Sequence, residues 1–252
     1  MLKTKTQSQI VIETIEQLGG VATLGLLTQE VLKNPQFKFI GKTPQANIRR
    51  IVQLNKEVYK IKPGLYSLTK LKNQNENNGI IQETNKNLNH PETTEFTHGY
   101  YQGLLITLGN LRNYKTFAPN QDNKRTFVNQ TLEQIRTLSK LPEFSYIDFV
   151  KRSQSVDTIW FHETKSNLMP ISYFEVEHST DIQNSLLKYA DLADFSAKKY
   201  IVADISRKAE FEKKLNFTAF GNIKDQIKFI SYEQVAKEYE IEIMKQQFQV
   251  KF

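Results

Sequence analysis

Apolar residues in the first third of the chain recur every three or four positions, the spacing that places them on one face of a helix. Residues 10–18 show this pattern first, and Gly19-Gly20 is predicted to end the helix. A second helix is predicted to begin at Thr23, whose hydroxyl can cap it, and to stop before Pro35. A third helix is predicted to begin at Thr43, whose hydroxyl can cap it. Pro44 follows, and a proline is tolerated in the first turn because the backbone N–H that it lacks would have no hydrogen-bond partner there.

The pattern then changes to two short runs of strand character, residues 57–62 and 65–68, joined through Pro63-Gly64. Three helices and a hairpin are typical of a winged helix, so residues 1–70 are predicted to form one. Its third helix is the expected reader of DNA, because amide and guanidinium groups can reach base edges and phosphates. The candidate DNA-binding residues are Gln45, Asn47, Arg49, Arg50, Lys60 and Lys62. The alternative is a protein-interaction module whose charges are solvated.

Residues 71–95 are dominated by Asn, Gln, Glu and Thr. So few apolar side chains cannot offset the entropy lost on ordering the segment, which is therefore predicted to be a flexible linker or, alternatively, a long loop. The apolar pattern resumes at Phe96, and a second domain is predicted over residues 96–252.

Segments of helical and strand character alternate in this second domain. Two runs rich in aromatic and β-branched residues, 156–161 and 171–178, are predicted to pair as an antiparallel hairpin. The other predicted elements are helices at 99–111, 131–138, 183–194 and 206–215 and strands at 200–204 and 228–232. The tail 241–252 fits either a helix or a strand. The predicted fold class is therefore mixed, α+β or α/β.

Charge and composition narrow the range of partners. The net charge of +7 favours polyanionic partners, nucleic acid above all. The absence of cysteine excludes disulfides and thiolate zinc sites. No apolar run approaches the ~18 residues that a membrane span requires, so no membrane association is expected.

Three carboxylates occupy matched places in the predicted hairpin. Glu175 and Glu177 are two positions apart in one strand, so their side chains project from the same face, and Asp157 lies on the neighbouring strand. Adjacent buried carboxylates repel each other and need a cation nearby. Oxygen ligands favour Mg²⁺, with Mn²⁺ as a substitute. All three are predicted catalytic residues, with Asp157 and Glu175 as the metal ligands.

The order of these acidic residues resembles the PD-(D/E)xK nuclease superfamily. The segments Asp157-Thr-Ile-Trp-Phe, Phe174-Glu-Val-Glu-His-Ser-Thr-Asp181 and Ser185-Leu-Leu-Lys-Tyr are similar to a restriction-endonuclease-like branch of it. This resemblance covers roughly residues 95–240 and implies a mixed β-sheet flanked by helices that cleaves DNA with Mg²⁺. Separately, residues 7–69 resemble a HARE-type winged helix through Thr43-Pro-Gln-Ala-Asn-Ile-Arg-Arg-Ile and Lys62-Pro-Gly-Leu-Tyr-Ser-Leu.

Two positions depart from the superfamily pattern. Val156 stands where proline is common, and Glu177 stands where a lysine is expected, which gives an Asp…Glu-x-Glu variant of the motif. A lysine from elsewhere could take the missing role, with Lys188 on the next helix and Lys165 in the hairpin loop as candidates. His178 is predicted to be structural.

Other polar residues could assist the site. His98 and Gln102 lie one turn apart at the helix predicted over 99–111, and the alternative for Gln102 is a solvated helix position. A polar loop could follow the phosphate backbone of DNA, and its candidate residues are Asn120, Asp122, Lys124 and Arg125.

The leading hypothesis is a type II restriction enzyme of the bacterial cytoplasm that cleaves double-stranded DNA at a specific site. The winged helix would contribute specificity, the second domain would cut with Mg²⁺, and no small-molecule cofactor is expected. A homodimer on DNA is expected because one active site cuts one strand. The alternatives are a DNA-binding regulator with an inactive nuclease-like domain, and an interaction protein in which the acidic trio has no explanation.

Overall fold

The computed structural model describes residues 5–38, 43–165 and 167–248, apart from the side chains of the last two. These residues divide into two compact units. One contains the chain up to Thr93 together with the residues from Ala236 onward, and the other contains Thr94–Val235. The domain boundaries expected from the sequence remain a prediction.

Up to Asn77, the described residues of the first unit form four α-helices and a small antiparallel sheet. Its elements are α1 (Gln7–Gln17), β1 (Val21–Thr23), α2 (Leu24–Lys33), α3 (Pro44–Leu54), β2 (Val58–Lys62), β3 (Leu65–Leu68) and α4 (Lys72–Asn77). The strand order is β1-β3-β2. Ile10 and Ile15 of α1, Leu27 of α2 and Ile48 of α3 are fully buried and form its core with Tyr66 of β3.

The two predicted helix caps have different outcomes. The Thr23 hydroxyl accepts a hydrogen bond from the backbone N–H of Leu26 at 3.3 Å, which confirms the first. Thr43 stands at the start of α3 with Pro44 next to it, but within the described residues its hydroxyl makes no capping hydrogen bond, so that part of the prediction is wrong. Its backbone carbonyl accepts a hydrogen bond from the N–H of Ala46 at 3.1 Å, as expected for the residue that precedes a helix.

Residues 71–95, predicted to be a flexible linker, contain α4 and several side-chain hydrogen bonds to the hairpin. The buried Asn75 amide donates to the Ser67 hydroxyl at 2.8 Å and to the Tyr59 hydroxyl at 2.9 Å. Lys62 forms an ion pair with Glu83. Each hydrogen bond of this kind contributes about 0.5–1.5 kcal/mol. The interpretation of residues 71–95 as a linker remains a prediction.

The second unit is built on a five-stranded mixed sheet with strand order β10-β9-β8-β7-β4. Strands β4, β7 and β8 pair antiparallel, and β8, β9 and β10 pair parallel. The further elements of the chain are α5 (Pro91–Leu111), β4 (Lys115–Phe117), β5 (Thr126–Phe127), β6 (Gln130–Thr131), α6 (Leu132–Ile135), α7 (Ile147–Ser153), β7 (Thr158–Glu163), β8 (Leu168–Glu177), α8 (Ile182–Asp191), β9 (Lys198–Ala203), α9 (Lys208–Leu215), β10 (Ile227–Ser231) and α10 (Tyr232–Phe248).

The mixed sheet flanked by helices and the antiparallel β7–β8 hairpin confirm the predicted architecture. Helix α5 begins earlier than expected, at Pro91, and the predicted helix over 131–138 shrinks to the single turn of α6. The ambiguous tail is helical up to Phe248, and its last four positions lie outside the described residues. No helix among the described residues is long and apolar enough to cross a membrane.

Different helices pack on the two faces of the five-stranded sheet. Ile159, Tyr173 and Ile201 pack with Leu186 of α8 and Phe211 of α9 in one apolar core. On the other side, the Trp160 indole N–H donates to the backbone carbonyl of Leu105 in α5 at 3.0 Å. Gly109 allows this close approach, because a Cβ there would lie 2.6 Å from both the indole nitrogen of Trp160 and Cγ2 of Thr116.

Candidate active site

The β7–β8 hairpin brings the three predicted carboxylates to one end of the sheet. Asp157 immediately precedes β7, and Thr158 pairs with Phe174, the residue before Glu175. The backbone N–H of Val176 donates to Asp157 Oδ2 at 2.7 Å, which fixes this carboxylate against β8. Alternation along β8 then places Glu175 and Glu177 on one face.

Glu175 is paired with a lysine from the following helix. Its carboxylate is only 2% exposed, and Lys188 Nζ lies 3.1 Å from Oε1 and 2.9 Å from Oε2. The same amine donates to the backbone carbonyl of Ser155 at 2.9 Å. Lys165, the other candidate lysine, is exposed in the loop at the opposite end of the hairpin. The structure therefore brings Lys188 to the acidic group.

Glu177 is held by hydroxyl groups. Ser185 donates to one oxygen of its carboxylate and Thr180 to the other. Ser185 Oγ also lies 3.3 Å from Glu175 Oε2, so one hydroxyl links the two glutamates. Arg207 donates to the backbone carbonyls of Glu177 and Thr180 and fixes the turn after β8.

Sequence reasoning missed Ser185, Thr180 and Arg207 as contributors. The spacing of Ser185 and Lys188, three residues apart on α8, places both on one helix face and could have indicated the first. No spacing in the sequence indicates Arg207, because its contacts depend on how the turn between β8 and α8 folds.

Burial and charge push the pKa values of these acids apart. Burial raises the pKa of Glu175 well above its usual range, and the negative charge of Asp157 adds to the shift against the attraction of Lys188. Burial likewise raises the pKa of Glu177, against the hydrogen bonds from Ser185 and Thr180. Burial opposes ionisation of Asp157 too, but attraction by His98 and the Val176 N–H outweigh it and lower its pKa. The cluster therefore holds more acidic groups than Lys188 alone can neutralise.

Helix α5 supplies a buried amide to the same end of the sheet. Gln102 is fully buried, so its alternative interpretation as a solvated residue is wrong. Its Nε2 donates to the backbone carbonyl of Asp157 at 2.5 Å and to Asp122 Oδ2 at 2.9 Å. Asp122 also pairs with Arg125 at 3.3 Å, whereas Lys124 is exposed. The polar loop thus turns Asp122 inward rather than toward solvent.

His98, one turn before Gln102, lies beside Asp157, with Nε2 3.3 Å from Oδ1. His98, Asp122 and Asp157 each offer a metal-ligating atom, and these atoms all lie within 4.8 Å of one another. His178, by contrast, stacks on Tyr232 with ring centroids 6.5 Å apart, in agreement with a structural role.

The predicted DNA-binding residues of the first unit differ in their availability. Arg50 and Lys60 are exposed. Asn47 donates to the Gln7 side chain at 2.6 Å, and Arg49 forms an ion pair with Glu240. Gln45 is half-buried in a cavity that Arg49 and Glu240 also line. Lys62 is buried against Glu83, so its charge is already compensated within the unit.

Comparison with known proteins identifies the family of the second unit. No curated protein and no solved structure matches the chain significantly. Residues 80–251 match the family described as the type II restriction enzyme NmeDI C-terminal domain. This span contains all three carboxylates, Lys188 and Gln102, whereas the first three helices lie outside it. The chain therefore belongs to the family of type II restriction enzymes represented by the NmeDI C-terminal domain, a family of DNA endonucleases.

Proposed function

We propose that the chain is a Mg²⁺-dependent, site-specific DNA endonuclease of the PD-(D/E)xK type. Asp157 and Glu175 are the metal ligands, Glu177 is the third acidic residue of the site, and Lys188 provides the cationic group that the motif lacks. The observation that carries the proposal is the contact between the Lys188 amine and both oxygens of the buried Glu175, beside the half-buried Asp157.

The residues at the site fit a hard divalent cation. Asp157, just before β7, and Glu175 on β8 bring two carboxylates together, and burial, with the charge of Asp157 adding to it, raises the pKa of Glu175. A bound cation would favour the ionised form of this carboxylate. Carboxylate oxygens are the ligands that Mg²⁺ prefers. When bound, such a cation supplies Lewis-acid polarisation of a phosphodiester.

The remaining groups position this acidic pair. Val176 and Gln102 hold Asp157 through its carboxylate and its backbone carbonyl, respectively. Ser185 Oγ donates to Glu177 and lies 3.3 Å from Glu175 Oε2, so one side chain contacts both glutamates. Lys188 lies where its positive charge can stabilise negative charge that develops on a phosphate bound next to Glu175.

The nuclease proposal is tested with plasmid and unmethylated phage DNA, incubated with Mg²⁺ or with EDTA. The wild-type protein should give discrete fragments with Mg²⁺ only. Asp157→Asn, Glu175→Gln, Glu177→Ala and Lys188→Met should each abolish cleavage, while DNA affinity in Ca²⁺ stays close to wild type. The matched control is Glu163→Gln, which alters an exposed carboxylate at the far end of the same hairpin.

Two outcomes would contradict the nuclease proposal. Near-normal cleavage by Asp157→Asn and Glu175→Gln would reject the active-site assignment. Sequence-specific binding without any cleavage by the wild-type protein would instead support a regulator with an inactive nuclease-like domain.

We further propose that the first unit is a winged helix that reads DNA with α3. The order of helices and strands and the exposed cations Arg50 and Lys60 support this, and Lys62 is left out because its amine is buried. Arg50→Ala should weaken binding to the cognate site by ~1–3 kcal/mol and leave binding to a scrambled duplex unchanged. Lys60→Ala should weaken both and reduce the salt dependence by about one counterion.

A homodimer on DNA follows from the same mechanism, since a double-strand cut requires two active sites. Sedimentation of the protein with a cognate duplex in Ca²⁺ should give two chains per duplex. One chain per duplex in Ca²⁺, together with cleavage of both strands in a single binding event once Mg²⁺ is supplied, would reject the dimer.

A further inference from the structure

Helix α5 and the loop after β4 place two unassigned metal-ligating groups against Asp157. They are His98 Nε2, 3.3 Å from Asp157 Oδ1, and the carboxylate of Asp122, which is 3% exposed. The distances are those of a preformed ligand group, because the three ligating atoms lie within 4.8 Å of one another. Asp122 is buried, whereas His98 and Asp157 are half-buried. Neither residue belongs to the hairpin that carries the acidic motif.

The hydrogen bonding of the His98 imidazole also points to a ligand. His98 Nε2 is shielded from solvent, and its contact with Asp157 Oδ1 at 3.3 Å is not aligned as a hydrogen bond among the described residues. A buried polar atom without a well-aligned hydrogen bond is unfavourable, and native structures retain few of them. A cation between the nitrogen and the two carboxylates would satisfy it.

The surroundings of the group are arranged to hold its members in place. Gln102 donates to Asp122 Oδ2 and to the backbone carbonyl of Asp157, so one buried amide fixes the distance between the two acids. Arg125 approaches Asp122 Oδ1 at 3.3 Å. A carboxylate offers about four lone-pair sites, so these two contacts leave Asp122 able to ligate a cation.

We propose that His98 and Asp122 are additional ligands of the divalent cation that Asp157 holds. This inference rests on the proposed metal-dependent nuclease. It changes the expected chemistry of the site from oxygen-only to mixed nitrogen and oxygen. Imidazole binds Mn²⁺ and later transition metals more readily than it binds Mg²⁺, so the site should favour Mn²⁺ over Mg²⁺.

The test measures binding of Mn²⁺ alone to the full chain in the absence of DNA. Free Mn²⁺ is followed by its electron paramagnetic resonance signal, and nitrogen coordination by the ¹⁴N modulation of the electron spin echo. Wild-type protein should show the ¹⁴N coupling. His98→Ala should lose the coupling and bind Mn²⁺ at least about tenfold more weakly, and Asp122→Asn should weaken binding by a similar factor while retaining the coupling.

The matched control is His162→Ala, which removes an exposed imidazole from β7 and should leave both signals unchanged. Circular dichroism of each variant shows whether its fold is kept. Asp122→Asn keeps the side-chain shape, so it still tests the inference if His98→Ala does not fold.

The results separate this inference from the function on which it rests. No ¹⁴N coupling in wild type, or unchanged Mn²⁺ affinity in both His98→Ala and Asp122→Asn, would overturn the inference. If Asp157→Asn and Glu175→Gln still lost Mn²⁺ under those conditions, the proposed nuclease site would stand. Unchanged Mn²⁺ binding in Asp157→Asn and Glu175→Gln would instead reject the proposed site itself.

Discussion

Helix α5 must approach the sheet closely for its polar side chains to reach Asp157, and Gly109 is the position where that approach is tightest. In Gly109→Ala, the new methyl group would lie 2.6 Å from the Trp160 indole nitrogen, 2.9 Å from Cδ1 and 2.6 Å from Thr116 Cγ2. Thr116 and Trp160 are cross-strand partners in β4 and β7, so neither can move without disturbing the sheet edge. The indole is therefore expected to move and to lose its hydrogen bond to Leu105.

The size of the effect follows from three contributions. Overpacking a core by one methyl group costs ~1–3 kcal/mol, and a buried donor left without its acceptor costs ~1–3 kcal/mol. Alanine in place of glycine within a helix returns about 1 kcal/mol. The expected net loss in the free energy of unfolding is about 3 kcal/mol, the sum of the first two central values less the third.

Urea unfolding followed by tryptophan fluorescence measures this directly, because Trp160 is the one tryptophan in the sequence. The emission maximum of folded Gly109→Ala should also shift, since the indole environment changes. The control is Gly221→Ala, where a Cβ would meet its nearest neighbour at 3.4 Å, an ordinary contact distance. A loss of less than about 0.5 kcal/mol, the usual scatter of neutral substitutions, with unchanged emission would refute the packing argument.

Three further predictions concern other parts of the structure. Burial lowers the pKa of Lys199 to about 8. Between pH 8 and the ordinary pKa of a lysine, the unfolded chain therefore binds more protons than the folded one, and the free energy of unfolding should rise with pH. Urea titrations of Lys199→Met should lack that rise, and parallel pH profiles of the two proteins would contradict the assignment. Asn75→Ala should destabilise the first unit by about 1–3 kcal/mol in thermal unfolding, because Ser67 and Tyr59 lose a buried partner, whereas a flexible segment would show no change. Ser185→Ala should slow cleavage about tenfold or more with unchanged DNA affinity, and equal turnover in both proteins would show that its link between the glutamates is unimportant.

The parts of the site that lie on the hairpin were predictable because they depend on local geometry. Strand alternation alone places Glu175 and Glu177 on one face, and a short polar loop implies that the preceding strand returns beside them. Because Glu177 stands where the motif expects a lysine, Lys188 and Lys165 were the candidates for that role, and Lys188 is the one that contacts Glu175. The structure brings these groups together as that reasoning requires.

The groups that α5 and its following loop contribute were harder to predict. The positions of His98 and Asp122 depend on how α5 packs on the sheet, and nothing in the spacing of residues along the chain encodes that packing. Strand β4 was missed because its three residues are too few to show a period. The hydrogen bonds of Asn75 within residues 71–95 were not predictable either, because the apolar content of a segment says nothing about side-chain hydrogen bonds.

The geometry of the β7–β8 hairpin also offers a practical use. Its ladder ends at the Glu163–Leu168 pair, and the turn is closed by the Thr164 N–H donating to the Asn167 carbonyl at 2.9 Å. At about 3.3 Å per strand residue, this turn lies roughly 20 Å along the hairpin from Asp157. Since the sequence has no cysteine, a thiol introduced at the exposed Thr164 would be unique. A fluorophore attached there could report on the encounter with DNA without touching the groups that act on the phosphodiester.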